Sequence, residues 1–350
     1  MSEALAPLRA PFPWFGGKRT IAAEIWTALG DVDHYVEPFF GSGAVLLNRP
    51  HAARTETVND ADGLLANFWR AVAADPDAVA VEADWPTNEA DLHARHLWLI
   101  GQREDLSGRL MANPACYDVR AAGWWVWGIC NWIGSGWCSG QGPWIERDGV
   151  LTDSRQLPHL GNAGRGIKRQ LPHLGDAGHG INRQLPHLGN AGRGEFIRDW
   201  FRDLSARLRN VRVACGDWSR VTGPSVLRAG GGVCGVFLDP PYDLGERVEV
   251  YAHESGAAAE CLAWCAANGD QPDVRIVLAG YAGEHDHLES LGWRSVAWKA
   301  QGGYGSQGDT RGRENANRER LWLSPHCVQP ARDLFSFAND PAPLTKETAA

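Results

Sequence analysis

The segment at positions 236–242, Val-Phe-Leu-Asp-Pro-Pro-Tyr, constrains this chain more than any other. A short apolar run that ends in an acid, two prolines and an aromatic residue predicts a buried strand followed by a rigid, exposed turn. Open α/β sheets bind their ligands at the carboxyl ends of such strands. Because proline has no N–H group, the carbonyls of Asp239 and Pro240 face few competing local donors. The segment therefore predicts an α/β sheet with a row of acceptors at one strand end.

This turn has the chemistry to bind an amino group on a flat ring. A side-chain oxygen of Asp239 and a neighbouring backbone carbonyl can each accept one hydrogen of an –NH2 group, and Tyr242 offers a face for stacking. We therefore take Asp239, Pro240, Pro241 and Tyr242 as candidate catalytic residues, with an exocyclic amine of a base as the expected guest. A turn of purely structural origin is the alternative.

Length and composition are those of a soluble globular protein. The chain has 350 residues, of which 44% are hydrophobic and 22% charged, enough for one α/β domain with a large insertion or for two domains. No apolar run approaches the roughly 18 residues of a membrane helix, and the first residues do not resemble a signal peptide. We therefore predict a cytoplasmic protein that does not contact the membrane.

The eight cysteines are scattered and include no Cys-x-x-Cys pair. This distribution predicts isolated buried thiols in a reducing compartment, with neither disulfides nor a metal site.

Charge is unevenly distributed along the chain. The formal net charge is −8, but residues 54–118 carry twelve acids and five bases, whereas residues 155–194 carry six Lys or Arg and one Asp. The first stretch therefore has a net charge of −7 and the second +5. Such segregation suits a protein that binds a polyanion on one face.

Two segments near the N-terminus predict a ligand site of their own. Residues 34–47 read as a strand, a glycine turn with Gly41 and Gly43, and a helix, which is the unit that binds nucleotide-like ligands. Asp60 follows Gly41 by 19 residues, a spacing at which an acid binds ribose hydroxyls. The preceding Gly16-Gly17-Lys18 opens a predicted helix over 19–29 and either approaches an anion or forms a plain loop.

The middle of the chain combines helices with a tryptophan cluster. Residues 70–110 have apolar positions at helical spacing and predict two or three helices. Six tryptophans follow within 21 positions: Trp124, Trp125, Trp127, Trp132, Trp137 and Trp144. They could stack on bases, but we interpret the first three as a core helix. The Gly- and Ser-rich residues 131–142 predict a loop near the substrate.

A 14-residue unit then occurs three times over residues 155–194, and the third copy diverges at its end. Because the unit is rich in Gly and Pro, it predicts stacked irregular turns. Cations recur in register with this unit and suit successive phosphates or guanines. The candidate DNA-binding residues here are Arg155, Arg165, Lys168, Arg169, Arg183 and Arg193. A duplicated solvent loop without an energetic role is the alternative.

The C-terminal part alternates predicted helices and strands. We expect helices over 196–208 and 260–267, and strands over 211–214, 274–279 and 321–323. Residues 299–320 are glycine-rich and contribute the further candidates for DNA binding Arg311, Arg313 and Arg318, with a salt-bridged hairpin as the alternative. Residues 331–350 predict a disordered tail.

Four motifs, in order, resemble one known family. They are Pro-Phe-x-Trp-Phe-Gly-Gly-Lys at 11–18, Tyr-Val-Glu-Pro-Phe-Phe-Gly-Ser-Gly-Ala at 35–44, Asn-Asp at 59–60 and Asp-Pro-Pro-Tyr at 239–242. Together they resemble the Dam-type (alpha-group) DNA adenine-N6 methyltransferases. The resemblance implies an α/β, Rossmann-like S-adenosylmethionine-dependent methyltransferase fold with an inserted target-recognition domain. Residues 1–60 and 195–330 would form the catalytic domain, and residues 61–194 the target-recognition region.

The resemblance also implies the cofactor S-adenosylmethionine and its contacts. The residues that match are Trp14, Gly17, Lys18, Glu37, Pro38, Phe39, Gly41, Gly43, Asp60, Asp217, Trp218 and Asp239. Asp60 would hold the ribose, Asp217 the adenine amino group, and Trp218 would lie against the adenine ring. An Asx turn after a strand is the alternative for Asp217.

By the same resemblance the protein would methylate N6 of an adenine flipped out of double-stranded DNA, in association with the nucleoid. No Pro-Cys dipeptide is present, so the nucleophile of cytosine-C5 methylation is missing. The alternatives are a catalytically inert DNA-binding regulator on this fold, or an amino-methyltransferase that acts on cytosine N4, RNA adenine or a protein amide. A homodimer is a further hypothesis, and the sequence gives neither the target site nor a restriction partner.

Overall fold

The structure, a computed structural model, describes residues 8–14, 16–52, 54–132, 136–138, 144–147, 150–153, 195–241, 256–298 and 318–329. Three predicted features lie outside these residues: the 14-residue repeat, residues 299–317 and the C-terminal tail.

A seven-stranded sheet with the order β5-β2-β1-β6-β7-β9-β8 forms the centre of the described chain. Its strands are β1 (His34–Glu37), β2 (Thr55–Asp60), β5 (Val211–Cys215), β6 (Cys234–Leu238), β7 (Val274–Tyr281), β8 (Arg294–Ala297) and β9 (Glu319–Leu323). The first five strands of that order pair in parallel, and β9 runs antiparallel to both β7 and β8. A separate antiparallel hairpin joins β3 (Trp144–Arg147) and β4 (Val150–Asp153). The predicted α/β, Rossmann-like methyltransferase fold is confirmed.

Helices connect the strands. They are α1 (Ala22–Leu29), α2 (Ala44–Leu47), α3 (Gly63–Ala74), α4 (Pro76–Ala83), α5 (Glu89–Ala112), α6 (Val119–Asn131), α7 (Glu195–Leu208), α8 (Pro224–Leu227) and α9 (Ala257–Asn268). The helix predicted over 19–29 divides into a 3-10 turn, Lys18–Ile21, and α1. Side chains cap several starts: Asp62, Asp75, Asn88 and Asp118 each accept a backbone N–H group. The other predicted helices and strands of the described residues are present, with ends that shift by up to three residues.

The order of the strands creates a crevice between β1 and β6. From β1 the chain proceeds outward to β2 and β5 on one side, then returns to β6 on the other side of β1. The connections therefore leave β1 and β6 in opposite directions, and a ligand can enter between them at the carboxyl edge. Tyr35 pairs with Gly235 and Val36 with Val236, so the two strands end within one residue of each other at the carboxyl edge of the sheet.

One continuous hydrophobic cluster joins the sheet to the helices of residues 63–131. Phe12 packs against Phe68, Trp69 and Trp125 with ring centroids 5.0–5.8 Å apart. The N-terminal segment is therefore anchored by side chains from α3 and α6. The domain boundary at residue 61 stays a prediction, although the described core runs across it.

The tryptophans of α6 lie in the core, as predicted. Trp125 and Trp127 are buried and Trp124 is half-buried. The predicted loop after α6 also packs inward where it is described, since the indole of Trp137 donates to the Trp125 carbonyl at 3.0 Å. Trp132 stacks on the imidazole of His96 at 4.8 Å.

A buried ion network fixes β2 to its neighbours. Glu56 is fully buried, and its two carboxylate oxygens accept from Arg207 at 2.6 and 2.9 Å and from Arg49 at 3.0 Å. Two guanidinium groups thereby compensate one desolvated carboxylate, and removal of either would leave a buried charge without its full compensation.

No helix of the described residues is long and apolar enough to cross a membrane.

We predict that the protein loses stability in acid because of two buried histidines. Burial lowers the pKa of His96 and that of His285 to about 4. The unfolded chain then binds protons below pH ~6.5 that the folded chain binds only near pH 4, so the free energy of unfolding falls over that interval. The His285→Phe variant keeps a ring against Trp322. In urea titrations, its free energy of unfolding should fall over this pH interval by on the order of 3 kcal/mol less than that of the wild type. His287→Phe, at an exposed position, is the control, and equal pH profiles for the wild type and His285→Phe would contradict the prediction.

Candidate functional site

The candidate site lies where β1 and β6 end side by side. A cavity of about 20 Å³ at this edge is lined by Trp14, Lys18, Glu37, Phe39, Gly41 and Asp239, among others. These six residues come from three segments that the sequence analysis singled out separately. Gly17 also lines the cavity, and the side chain of Pro38 is buried.

The turn after β1 requires its two glycines. Gly41 and Gly43 have φ angles of +49° and +63°, which residues other than glycine rarely adopt. A Cβ atom on Gly41 would lie 2.5 Å from the indole nitrogen of Trp14, and one on Gly43 would lie 2.7 Å from the ring of Phe40. The glycines therefore allow close packing within the protein as well as an open turn.

Asp60, at the end of β2, holds this turn. Its Oδ2 accepts the Gly41 N–H at 2.9 Å and its Oδ1 accepts the Asp62 N–H at 2.9 Å. Burial raises the pKa of Asp60 to about 7, although the two N–H groups act in the opposite direction. Each carboxylate oxygen has a second lone pair, so the side chain can still accept from a ligand.

Asn59 ties three strand ends together, and the sequence analysis did not select it as a site residue. Its fully buried amide nitrogen donates to the carbonyl of Pro38, after β1, at 3.1 Å and to that of Gly216, after β5, at 2.9 Å. Its presence in the Asn-Asp motif was the available signal that it belongs to the site. Asn59 holds backbone carbonyls of two other segments, and the spacing of residues in the sequence does not reveal such contacts.

Lys18 and Asp239 form an ion pair inside the cavity. The Lys18 ammonium lies 2.9 Å from Asp239 Oδ2 and donates to the Gly16 carbonyl at 2.9 Å. Lys18 is almost completely buried, whereas Asp239 is 21% exposed. The carboxylate of Asp239 is therefore held where a nitrogen donor can reach it.

Glu37 is a buried carboxyl group at the end of β1. Its Oε2 accepts the Tyr35 hydroxyl at 3.0 Å. Burial raises the pKa of Glu37 well above its usual range, and the nearby Asp239 raises it further. No cation pairs with Glu37 in the part of the chain that the structure describes, so a cationic ligand would favour its ionised form.

The residues after β5 lie beside the turn of β1. Phe39 and Trp218 are stacked with ring centroids 6.2 Å apart and an angle of 24° between their planes. Trp218 is 6% exposed, and its indole faces Glu260 Oε2 at 3.4 Å. Asp217 is exposed and accepts the Ser219 N–H at 2.9 Å, which is the Asx turn considered as the alternative. The Asx turn is thus present and Trp218 lies against Phe39, while the contacts of Asp217 and Trp218 with a cofactor stay a prediction.

The remaining predicted site residues divide between described and undescribed positions. Pro240 is buried and Pro241 half-buried, whereas Tyr242 lies outside the described residues. Among the candidates for DNA binding only Arg318 is described; it is exposed, with its guanidinium 5.5 Å from the Tyr281 ring. The others lie outside: Arg155, Arg165, Lys168, Arg169, Arg183, Arg193, Arg311 and Arg313.

The described residues contain no group of three or more His, Cys, Asp or Glu side chains placed to hold a metal ion. All eight cysteines are described and are free thiols, of which seven are buried and Cys116 is half-buried.

The sheet order, the glycine turn and the acid after β2 together define the class of Rossmann-like methyltransferases. The family model of D12 class N6 adenine-specific DNA methyltransferases matches residues 14–94. This match confirms the predicted resemblance to Dam-type DNA adenine-N6 methyltransferases and indicates an enzyme that methylates adenine in DNA. The match includes the first motif from Trp14 onward and the second and third motifs, whereas Asp239 lies outside it. The comparison with curated proteins gives no match.

We predict that Asn59→Asp, which conserves shape, lowers the free energy of unfolding by about 3 kcal/mol. The substitution replaces an amide that donates to two buried carbonyls with a carboxylate that faces them, so two hydrogen bonds are lost and like partial charges meet. Urea denaturation at pH 7 measures the change. Asn48→Asp is the control, because its half-buried amide donates to one carbonyl, that of Ala44, at 2.7 Å. Equal stabilities for the two variants would contradict the role of Asn59.

Proposed function

We propose that the protein transfers a methyl group from S-adenosylmethionine to N6 of an adenine that is flipped out of double-stranded DNA at a specific sequence. The observation that carries this proposal is the ion pair of Lys18 and Asp239. A nitrogen donor lies 2.9 Å from Asp239 Oδ2, in the same cavity as the glycine turn. The site therefore offers an acceptor for an amino group directly beside a turn that suits an adenosine-bearing ligand.

The residues of the cavity and those at the ends of β2 and β5 suit S-adenosylmethionine. Glu37 is a buried carboxyl group with a raised pKa, and it would bind the ammonium group of the methionine part. Asp60 has acceptor capacity left for the ribose hydroxyls after its bonds to Gly41 and Asp62. The other residues assigned to this ligand are Trp14, Gly17, Lys18, Pro38, Phe39, Gly43, Asp217 and Trp218. When bound, the cofactor supplies a methyl group activated by a sulfonium.

Asp239 and the turn after it would bind the target base. The Asp239 side chain and the Pro240 carbonyl would accept the two N6 hydrogens, which raises the electron density on that nitrogen. Tyr242 would stack on the base. Lys18 uses one acceptor position on Asp239 Oδ2, so the remaining lone pairs of the carboxylate would accept from the amino group. Holding both reactants in contact would supply much of the rate.

The base must leave the helix to reach this cavity, because N6 is inaccessible in a stacked duplex. The unstacking energy of a few kcal/mol would come from contacts between protein and DNA. We assign these contacts to the cationic residues of 155–194 and 311–318, in keeping with the charge of +5 of the first stretch.

We predict that Asp239→Ala lowers the rate of methyl transfer at least about 100-fold, because it removes an acceptor that contacts the reacting amine. Transfer of labelled methyl groups to DNA measures the rate. The variant leaves the buried Lys18 ammonium without its counter-charge, so the assay should be run below its melting temperature. Asp77→Ala is the matched control: it also breaks an ion pair, with Arg202, but on the exposed side of α4, and should keep full activity. Full activity of Asp239→Ala would refute the assigned role.

We further predict that DNA from cells expressing the protein carries methylated adenine in one sequence motif. Methylome sequencing should reveal this motif in the wild type and its absence in cells expressing Asp239→Ala. Unmodified adenine in both cultures would contradict the proposed function, and methylated cytosine N4 or RNA adenine would then identify the substrate.

A further inference from the structure

Trp69 contacts the turn after β1, at Gly41 and Phe40. It lies on α3, which begins directly after the Asp60 segment, and it is completely buried. Its indole Nε1 donates to the Gly41 carbonyl at 3.0 Å. Its ring packs against Phe40 at 5.1 Å, and Phe40 is the ring on which Gly43 lies. Trp69 therefore touches the turn through one hydrogen bond and one ring contact.

The hydrogen bond fixes the orientation of a whole peptide group. The bond between Gly41 and Ser42 is planar and trans, so its C=O and N–H groups point in opposite directions. Because Trp69 holds the Gly41 carbonyl toward the core, the Ser42 N–H must point away from the core, and Gly41 and Ser42 both line the cavity. Asp60 holds the preceding N–H group, that of Gly41, at 2.9 Å. The two peptide groups that flank Gly41 are thus held by side chains of β2 and α3.

We infer that Trp69 is a positioning residue that directs the Ser42 N–H group toward the carboxylate of the methionine part of S-adenosylmethionine. The inference rests on the proposed function, and it names the group of the ligand that accepts the Ser42 N–H. A backbone N–H group is a strong donor, and its hydrogen bond to a carboxylate is charge-assisted. Glu37 would bind the ammonium group of the same part, so the cleft would offer both a donor and an acceptor.

The test separates this role from simple core packing. Trp69→Phe retains a ring against Phe40 and removes the N–H donor. Trp127→Phe is the matched control, since Trp127 is also fully buried and its indole donates to a carbonyl, that of Trp85, at 2.8 Å, in a different hydrophobic cluster. Titration calorimetry should compare S-adenosylmethionine with its decarboxylated form, which keeps the ammonium and the sulfonium but lacks the carboxylate.

We expect Trp69→Phe to raise the dissociation constant of S-adenosylmethionine about tenfold and to leave that of the decarboxylated ligand unchanged. Trp127→Phe should change neither constant. Unchanged binding of S-adenosylmethionine by Trp69→Phe, or an equal loss for both ligands, would overturn the inference. Failure of the wild type to bind either ligand would instead refute the proposed function.

A second measurement is made on the wild-type protein and uses a variant only to assign one signal. In wild-type protein labelled with ¹⁵N-serine, the Ser42 amide proton, assigned by its loss in Ser42→Ala, should shift downfield with S-adenosylmethionine but not with the decarboxylated ligand. An unshifted Ser42 signal would overturn the inference.

Discussion

The parallel pairing of β1 with both β2 and β6 is the constraint on which the rest of the structure depends. It places the ends of these strands on one edge, although Glu37, Asp60 and Asp239 are up to 202 residues apart in sequence. Since the connections leave β1 and β6 in opposite directions, this edge is open between those two strands. The proposed contacts with the methionine part of the cofactor and with the base lie at that opening, and those with its adenosine part lie beyond it at the ends of β2 and β5.

Buried polar groups hold this edge in place. Asn59 bonds two strand ends through one amide, Asp60 holds one side of Gly41, and Trp69 holds the other. Glu56 joins the same strand to Arg49 and Arg207. A buried polar group that loses its partner costs about 1–3 kcal/mol of stability. Each of these bonds therefore stabilises the fold and also fixes the position of the backbone group that it contacts. The protein's own side chains thus hold the turn, and a turn that is held in this way loses less entropy on binding.

The elements of the fold and the residues of the site were predictable to different degrees. Strands and helices over 34–47, 196–215 and 260–279 were predicted close to their observed bounds, because their apolar periodicity is strong and their turns contain glycine or asparagine. The cavity residues Lys18, Glu37, Gly41 and Asp239 were also found, since they belong to motifs. Asn59 and Trp69 were missed as site residues because they act through backbone groups of distant segments. The inward packing of Trp137 on α6 was missed for the same reason.

The sequence by itself determined the resemblance to one family, the class of fold and the acidic and glycine residues of the candidate site, because these depend on short motifs whose chemistry is local. Only the tertiary structure decided which of those residues meet. It pairs Lys18 with Asp239, leaves Glu37 buried without a cation among the described residues, and stacks Trp218 on Phe39. It also turns Trp69 from a core aromatic residue into the partner of Gly41. These outcomes depend on strand order and on the distance between side chains after folding, and neither is encoded in the spacing of any single motif.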